Sequence, residues 1–392
     1  MQHKNFYTNA LKSSFYQTKF ANENPMSWDN LPVTTKEELR EVEPLDLLGT
    51  DFSQVATYHE TSGTTGTPTP SWYSHNDVEK EAETIIRSEL NLNEQDLVLT
   101  RLPFALAIPG FIMYWACQKT GAGHLAADKL LQITPDIRVI ELMKRTEPTI
   151  LCCLPSEAEK LYEVSRQAGA ENPSPKLRAL VLAGELISPA RKAHFERLWG
   201  VPVYGLFGST ETGGLYTTCE NGNYHMDRED VIIEIVNEHH EPLGEDKKGY
   251  CLISTKREGM PLVKYSNQDI VERKQSSSCG CGNSHPVLMH YGRRSDEIHY
   301  QGQTISLYEL QEMVYTLTYV PVRWQVNVYK DRYEFVYQIV GDKREATRAT
   351  IEEELQAKSD IPFQARTEEL IDEKTLLDKP AWSKHSFINK YE

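Results

Sequence analysis

A short segment near the N-terminus contains groups that can surround a polyphosphate. It reads Thr61, Ser62, Gly63, Thr64, Thr65, Gly66, Thr67 and Pro68, and it follows a β-prone run. Its glycines and hydroxyls would offer closely spaced hydrogen-bond donors to phosphate oxygens. A Ser/Thr/Gly-rich surface turn has the same composition, so this alternative stays open. No Gly-Lys-Ser/Thr sequence follows at the spacing of a Walker motif, which disfavours a P-loop kinase or GTPase.

A second segment combines an aromatic ring, hydroxyls and a carboxylate. It consists of Phe207, Gly208, Ser209, Thr210 and Glu211. An aromatic face can stack on a base, and carboxylate oxygen is the ligand type that Mg²⁺ prefers between phosphates. The alternative is a glycine-rich loop with an exposed glutamate. The two segments together favour a nucleotide site over two unrelated turns.

In this order, the two segments resemble those of the acyl-adenylate-forming (AMP-binding) superfamily, which includes acyl-CoA synthetases, peptide-synthetase adenylation domains and luciferases. Most members have a lysine after the proline of the first segment. Here the position is Thr69, which is similar to the branch of phenylacetate-CoA ligase-like proteins. The resemblance implies that Phe207 stacks on adenine, that Thr210 binds the α-phosphate and that Glu211 holds Mg²⁺.

Further matches keep the order of the superfamily's motifs. By resemblance, Gly184 and Glu185 line the adenine site, Asp269 accepts hydrogen bonds from the ribose hydroxyls, and Arg293 contacts the nucleotide. A carboxylate has two oxygens that can accept from paired hydroxyls. Each residue type is also common in ordinary turns, so the assignment depends on the order of the matches.

The same resemblance implies a division into two domains. Residues 1–292 would form an N-terminal domain that binds ATP and the acid, with a helical lead-in at 1–50. Residues 293–303 would be a hinge, and residues 304–392 a C-terminal lid. The usual hinge aspartate falls on Ser295, with an aspartate next to it, so the pivot residue is left open.

The tail of the chain is loosely similar to the superfamily segment whose lysine enters the site during adenylation. We assign this role to Lys384, with Lys379 and Lys390 as alternatives. A lysine near a terminus is more often a solvated surface residue. In the adenylation mechanism, this ammonium would bridge the acid and the α-phosphate.

Three cysteines and one histidine in polar turns could bind a metal ion. They are Cys219, His225, Cys279 and Cys281, with His285 as a reserve ligand. Three thiolates and an imidazole form a closed, structural zinc set. The spacing is not the common paired Cys-x-x-Cys, so scattered free thiols are the alternative. Similar cysteines and a histidine in phenylacetate-CoA ligase-like proteins favour zinc.

The elements that would position these residues alternate between strands and helices. Between residues 55 and 263 the clearest runs are Leu97–Thr100, Ile137–Arg145, Thr149–Leu154, Glu157–Ala168 and Ala179–Ala183. This order predicts an α/β domain with a parallel or mixed sheet flanked by helices. The rest predicts a small α+β domain, with a helix at Leu307–Leu317, strands at Trp324–Tyr329 and Glu334–Val340, a helix at Arg344–Gln356 and a strand near Arg366–Ile371.

Bulk composition narrows the class of protein. The net charge of −15 argues against nucleic acid or an anionic membrane as a partner. No apolar run approaches the roughly 20 residues that cross a bilayer, and the polar N-terminus is unlike a signal peptide, so we expect a cytoplasmic protein. Four cysteines in apolar segments are expected to be buried thiols; they are Cys117, Cys152, Cys153 and Cys251.

The expected function is ATP-dependent conversion of a carboxylic acid to an acyl-AMP with release of pyrophosphate. The apolar stretches at 103–107, 182–183 and 204–206 favour an aryl or other hydrophobic acid, unless they are simply core. CoA, an acyl carrier protein and an amine are open as acceptors. A non-catalytic nucleotide-binding relative and a zinc-stabilised interaction module are the rival functions. The oligomeric state cannot be predicted from these residues.

Overall fold

The structure is a computed structural model that describes residues 2–21, 28–61, 66–129, 133–170, 172–339, 344–368 and 385–391. Its α-helices are α1 (Gln2–Ala10), α2 (Ser14–Lys19), α3 (Lys36–Glu41), α4 (His75–Ile86), α5 (Pro109–Thr120), α6 (Asp136–Thr146), α7 (Pro155–Gln167), α8 (Pro189–Trp199), α9 (Leu307–Val314) and α10 (Arg344–Lys358). In the described ranges, no helix combines the length and the apolar character that crossing a bilayer requires.

The strands form separate sheets. Strands β1 (Val55–Glu60) and β2 (Pro70–Ser74) pair with each other. The largest sheet contains β3 (Leu97–Thr100), β4 (Gly123–Ala126), β5 (Ile150–Cys153), β6 (Ala179–Ala183), β7 (Val203–Ser209) and β8 (Gly213–Thr217). Another contains β9 (Tyr224–His225), β10 (Val231–Val236), β11 (Lys248–Thr255), β12 (Leu262–Lys274) and β13 (Val287–Arg293). Strands β14 (Ile298–Tyr300) and β15 (Gln303–Ile305) form a hairpin, and the last sheet contains β16 (Arg323–Val328), β17 (Tyr333–Gln338), β18 (Phe363–Thr367) and β19 (Ile388–Lys390).

The largest sheet is mixed, in the order β4-β3-β5-β6-β7-β8, with only β8 antiparallel to its neighbour. Its central strands are apolar on both faces because helices cover both. Ile150 and Cys152 pack with α4 and α5, whereas Leu151 and Cys153 pack with α6, α7 and α8. This confirms the predicted α/β fold. All four cysteines of the apolar segments are buried free thiols.

The N-terminal helices cover the antiparallel sheet β10-β11-β12-β13-β9. Aromatic residues of this lead-in, including Phe6, Tyr16 and Trp28, share a buried cluster with Tyr265 of β12. Thr34 extends this contact, since its N–H donates to Lys264 O at 3.0 Å and its carbonyl accepts from Ser266 N at 2.9 Å. The lead-in is therefore fixed to the strand that later contributes to the site.

Helix α3 begins where the sequence predicts a helix start. The Thr35 hydroxyl accepts from the Glu38 N–H, and the Glu38 carboxylate accepts from the Thr35 N–H, which forms a reciprocal capping box. Both N–H groups at the start of the helix thereby gain partners. The capped start of α3 therefore directly follows Thr34, which is hydrogen-bonded to β12.

The C-terminal region builds a four-stranded sheet in the order β18-β17-β16-β19, packed with α9 and α10 around Trp324. Strands β16 and β17 each begin one residue before the predicted position. The last predicted strand, near Arg366–Ile371, was placed too late, because β18 starts at Phe363. Phe363 and Ala365 are the inward residues of this strand, and their alternation with exposed polar neighbours is the pattern that was overlooked.

Candidate functional site

Strands β1 and β2 hold the two ends of the predicted phosphate loop together. Thr61 N donates to Thr69 O at 3.1 Å, and Thr69 N donates to Thr61 Oγ1 at 2.9 Å. Gly66 has a φ of +134°, a conformation that side chains with a Cβ rarely adopt, and Thr67 follows it. Four predicted phosphate-binding residues lie outside the described residues; they are Ser62, Gly63, Thr64 and Thr65.

The turn that follows β7 contacts β2, the strand that follows this loop. Within the turn, Ser209 N donates to Thr212 Oγ1 at 3.0 Å and Thr212 N donates to Ser209 Oγ at 3.2 Å. Tyr73 of β2 donates its hydroxyl to Thr210 O at 2.8 Å. The structure therefore brings the strand after the phosphate loop into contact with the predicted α-phosphate residue.

Glu211 is a buried carboxylate with two close partners. Its Oε1 accepts from the Tyr265 hydroxyl at 3.0 Å and lies 3.0 Å from Lys36 Nζ. Burial opposes ionisation of this carboxyl, but the charge and hydrogen bond of Lys36, together with hydrogen bonds from the Glu211 N–H and from Ser209, lower the pKa of Glu211 overall. Arg257 Nη1 donates to the Glu211 carbonyl. Glu211 is thus an oriented anion of the type that binds Mg²⁺.

Asp269 and Arg293 face each other across β12 and β13. Asp269 Oδ1 accepts from Arg293 Nε at 3.3 Å and lies 3.6 Å from His290 Nε2, and Asn267 Nδ2 donates to Oδ2 at 2.6 Å. Burial raises the pKa of Asp269, but the charges of His290 and Arg293 lower it overall. The Phe207 ring lies 5.1 Å from the His290 ring, which brings the predicted adenine residue to this pair.

One strand connects the two acidic positions. Tyr265, which bonds Glu211, lies four residues before Asp269 in β12. The predicted metal ligand, the predicted ribose ligand and the strand that leaves the phosphate loop therefore meet in one region. We describe this set of residues as the nucleotide region; it comprises Thr61, Thr69, Phe207, Thr210, Glu211, Asp269 and Arg293.

Glu185, which the resemblance places at the adenine site, is a buried carboxylate held by neighbouring helices. Its carboxylate accepts from Ser156 N at 3.0 Å and from Arg191 at 3.1 Å, and its side chain is 4 % exposed. Burial opposes ionisation of Glu185, but the Arg191 charge, the Ser156 hydrogen bond and the Arg323 charge together lower its pKa. Its carboxylate is occupied by α7 and α8, whereas the preceding Gly184, with a φ of +87°, lies in the turn after β6.

The region after Arg293 turns back through a short 3-10 helix, Arg294–Asp296, into the β14–β15 hairpin. Ser295 is in the middle of this turn. Two of the three candidates for the tail lysine, Lys379 and Lys384, lie outside the described residues. Lys390 is in β19, where it pairs with Val328 of β16.

Several basic and aromatic residues of the region were missed by sequence reasoning. They are Lys36, Arg40, Arg257 and Tyr265. Lys36 and Arg40 are four apart in a helix whose start was predicted, which places them on one face. That spacing was the available signal, but nothing in the sequence identified what the face contacts.

The four predicted zinc ligands converge. Their ligand atoms all lie within 4.8 Å of one another, although β10–β12 separate the two pairs along the chain. Cys219 Sγ is 3.6 Å from Cys279 Sγ, and Cys281 Sγ is 3.2 Å from His225 Nε2. Two sulfurs on one tetrahedral zinc, each about 2.3 Å from it, lie roughly 3.7 Å apart. The spacing therefore fits a zinc ion.

Neighbouring polar groups orient this cluster. His225 Nδ1 is 3.1 Å from His285 O, so an Nδ1–H donated to this carbonyl leaves Nε2 unprotonated and directed at Cys281. Burial opposes ionisation of Cys279, but hydrogen bonds from the Cys281 N–H and from Asn223 lower its pKa to about 6. His285 contributes its carbonyl, and its ring contacts Asn283 at 3.1 Å rather than the cluster.

An aromatic cluster lies beside the stretch 103–107. The Phe104 ring is 5.4 Å from Phe111 and 5.9 Å from His124, and Leu106 is 51 % exposed. By contrast, Tyr204 and Leu206 are buried in the core with α4 and α5. The apolar side chains that are exposed beside this aromatic cluster therefore belong to residues 103–107 and to α5.

Comparison with known proteins gives a consistent result. Residues 10–257 match the family model described as AMP-binding enzyme. A phenylacetate-coenzyme A ligase of Thermus thermophilus is 27 % identical over 322 residues, covering 77 % of this chain and 68 % of that protein. The Escherichia coli phenylacetate-coenzyme A ligase is 24 % identical, covering 76 % and 68 %.

The fold also has a close counterpart among solved structures. The crystal structure of 2-hydroxyisobutyryl-CoA ligase, in the postadenylation state with 2-HIB-AMP, superposes with a TM-score of 0.87. The match covers 100 % of this chain and 88 % of that one, at 17 % identity. At that identity the likeness bears on the fold alone.

Proposed function

Because the chain belongs to the AMP-binding enzyme family, in its phenylacetate-CoA ligase-like branch, we propose that it uses ATP to convert a carboxylic acid to an acyl-AMP and then transfers the acyl group to CoA. The observation that supports this most strongly is the meeting of Thr210, Glu211, Asp269 and Arg293 with the strand that leaves the phosphate loop. Adenylation needs these groups in one place, since its catalysis is mainly positioning and charge stabilisation.

Each residue of the nucleotide region has a role in this proposal. Asp269 binds the ribose hydroxyls, and Arg293, which now bonds Asp269, contacts the nucleotide. The Phe207 ring stacks on the adenine. Thr210 binds the α-phosphate, at which the substrate carboxylate attacks in line with the departing pyrophosphate. Glu211 would hold Mg²⁺, which when bound neutralises phosphate charge.

The loop between β1 and β2 would bind the β- and γ-phosphates. Thr61, Gly66 and Thr67 are at its described ends, and the hydrogen-bonded contact of Thr61 with Thr69 fixes where the loop leaves the sheet. Backbone N–H groups and hydroxyls here would donate to phosphate oxygens.

The proposed acid is aryl or otherwise hydrophobic. Phe104 and Phe111 form an edge-to-face pair beside the exposed Leu106, and such rings favour an aromatic partner. The acceptor that we propose is CoA. A carrier protein or an amine as acceptor would leave the adenylation residues unchanged, and the CoA step of the experiment below tests whether CoA is the acceptor.

We also propose that residues 293–303 act as a hinge between residues 1–292 and a lid at 304–392. Lys384, with Lys379 and Lys390 as alternatives, would approach the acid and the α-phosphate when the lid closes. The 3-10 turn at Arg294–Asp296 supports the position of the hinge, because short turns between sheets can absorb large backbone rotations.

The four-residue cluster would hold a structural zinc ion that ties β9 to the segment before β13. The test is plasma emission on chelator-washed protein, which should find one zinc per chain. His225→Ala should lose the metal and His285→Ala should retain it, because the latter keeps its carbonyl. Protein without stoichiometric zinc would refute the assignment.

The function is tested by acid-dependent exchange of labelled pyrophosphate into ATP. A panel of aryl, fatty and amino acids is supplied with Mg²⁺, followed by CoA and detection of the thioester. We expect exchange with an aryl acid, none without acid, and a CoA thioester as product. ATP binding without exchange for any acid would instead indicate a nucleotide-binding relative that does not catalyse adenylation.

A further inference from the structure

The predicted phosphate loop of this chain ends without a lysine. The residue after Pro68 is Thr69, which is fully buried, and its hydroxyl accepts from Arg40 Nε at 3.2 Å. Magnesium neutralises only part of the charge of a bound triphosphate, and sites of this kind add cationic side chains. A cation from elsewhere in the chain is therefore needed at this end of the site.

Helix α3 brings two such side chains to the nucleotide region. Lys36 and Arg40 are about 6 Å apart along the helix axis and share one face. Lys36 Nζ lies 3.0 Å from Glu211 Oε1, and Arg40 contacts Thr69. The same helix face therefore reaches the proposed metal ligand and the end of the phosphate loop.

The position of α3 is fixed from its first turn. Thr34 is hydrogen-bonded into β12 beside Tyr265, which itself bonds Glu211, and Thr35 caps the helix. The basic face is consequently held in one direction rather than carried by a loop. Lys36 is 29 % exposed, so its ammonium can change partner without repacking the core.

We propose that Lys36 and Arg40 are the cations that bind the β- and γ-phosphates of ATP, in place of a lysine in the loop. This inference rests on the proposed function as far as ATP binding. Without nucleotide, Lys36 neutralises the buried Glu211. With Mg²⁺ on Glu211, the Lys36 ammonium would be free to pair with a phosphate oxygen, and Arg40 would donate beside it at the end of the loop.

The experiment compares the dissociation constants of ATP and AMP, both with Mg²⁺, for the full chain and four variants. Lys36→Met and Arg40→Met should each weaken ATP binding at least about 10-fold and leave AMP binding unchanged, since AMP lacks the outer phosphates. Lys36→Arg should retain most of the ATP affinity. Lys12→Met, which removes an exposed lysine of the same lead-in, is the matched control and should change neither constant.

Binding of AMP also reports that each variant has a folded site. Equal losses for ATP and AMP, or an unchanged ATP constant, would overturn the inference. If the wild type shows this triphosphate dependence but no exchange with any acid, the proposed function fails and the inference stands. If the wild type does not bind ATP, both are wrong.

Discussion

Removal of the buried charge of Arg191 is predicted to destabilise this fold strongly. Its guanidinium is fully buried, with Glu159 carboxylate oxygens at 3.2 Å from both Nε and Nη2 and the Glu185 carboxylate at 3.1 Å from Nη2. Tyr315, from the segment after α9, donates its hydroxyl to Glu159 at 2.6 Å. Arg191 thus neutralises two buried carboxylates where the C-terminal region packs on α7 and α8.

Arg191→Met keeps the apolar bulk of the side chain and removes its charge. Both carboxylates would then be left buried without their main partner, which typically costs about 3–5 kcal/mol. The matched control is Arg87→Met, whose guanidinium is 78 % exposed and pairs with Glu83 one helical turn away. An exposed pair of this kind contributes about 0.3–0.5 kcal/mol.

The assay is urea unfolding of the full-length variants, followed by circular dichroism and by tryptophan fluorescence. We expect the Arg191→Met transition to move to markedly lower urea, and the Arg87→Met transition to remain close to that of the wild type. Equal, small shifts for the two variants would refute the assigned role of Arg191.

Two other predictions concern the nucleotide region and its surroundings. Asp269→Asn should raise the KM for ATP at least about 10-fold, because a hydrogen bond to a charged group contributes about 1.5–3 kcal/mol. The control is Asp331→Asn, at a side chain that is 77 % exposed, and it should leave the KM for ATP unchanged. His59→Phe should make the free energy of unfolding less sensitive to acid. Burial lowers the pKa of His59 from 6.5 to about 4, so the unfolded chain takes up a proton at a higher pH than the folded protein does. The stability of the wild type therefore falls as the pH drops from 6.5 towards 4. At pH 5 the wild-type loss is about 2 kcal/mol from this residue.

Each of these two predictions has an outcome that would contradict it. An unchanged KM in Asp269→Asn would exclude that carboxylate from ribose binding. An unfolding free energy of His59→Phe that falls between pH 7 and pH 5 as steeply as that of the wild type would show that His59 is not the group responsible.

The sequence predicted the fold well where burial alone determines structure. Strands β5 and β6 are short apolar runs, and every residue in them is buried, because both faces of the sheet are covered. Strand β18 was predicted too late since only two of its residues, Phe363 and Ala365, face the core. Alternation in so short a strand is a weak signal.

The site was predictable to the extent that residue type determines chemistry. The zinc set was chosen from three thiols and an imidazole, and the resemblance to phenylacetate-CoA ligase-like proteins favoured it. Pairing of β9 with β13 is what brings His225 to the cysteines. Lys36 was not found, because its contact with Glu211 depends on how α3 docks on β12. The occupied carboxylate of Glu185 was missed for a similar reason, since its partner Arg191 lies on the following helix.

The central claim is that one nucleotide binds against Asp269, Thr210 and Glu211. A crystal structure of the protein with a non-hydrolysable ATP analogue and Mg²⁺ tests this most directly. We predict ribose hydroxyls within about 3.2 Å of the Asp269 carboxylate and the α-phosphate beside the Thr210 hydroxyl. A nucleotide bound elsewhere, or a ribose without contact to Asp269, would contradict the account.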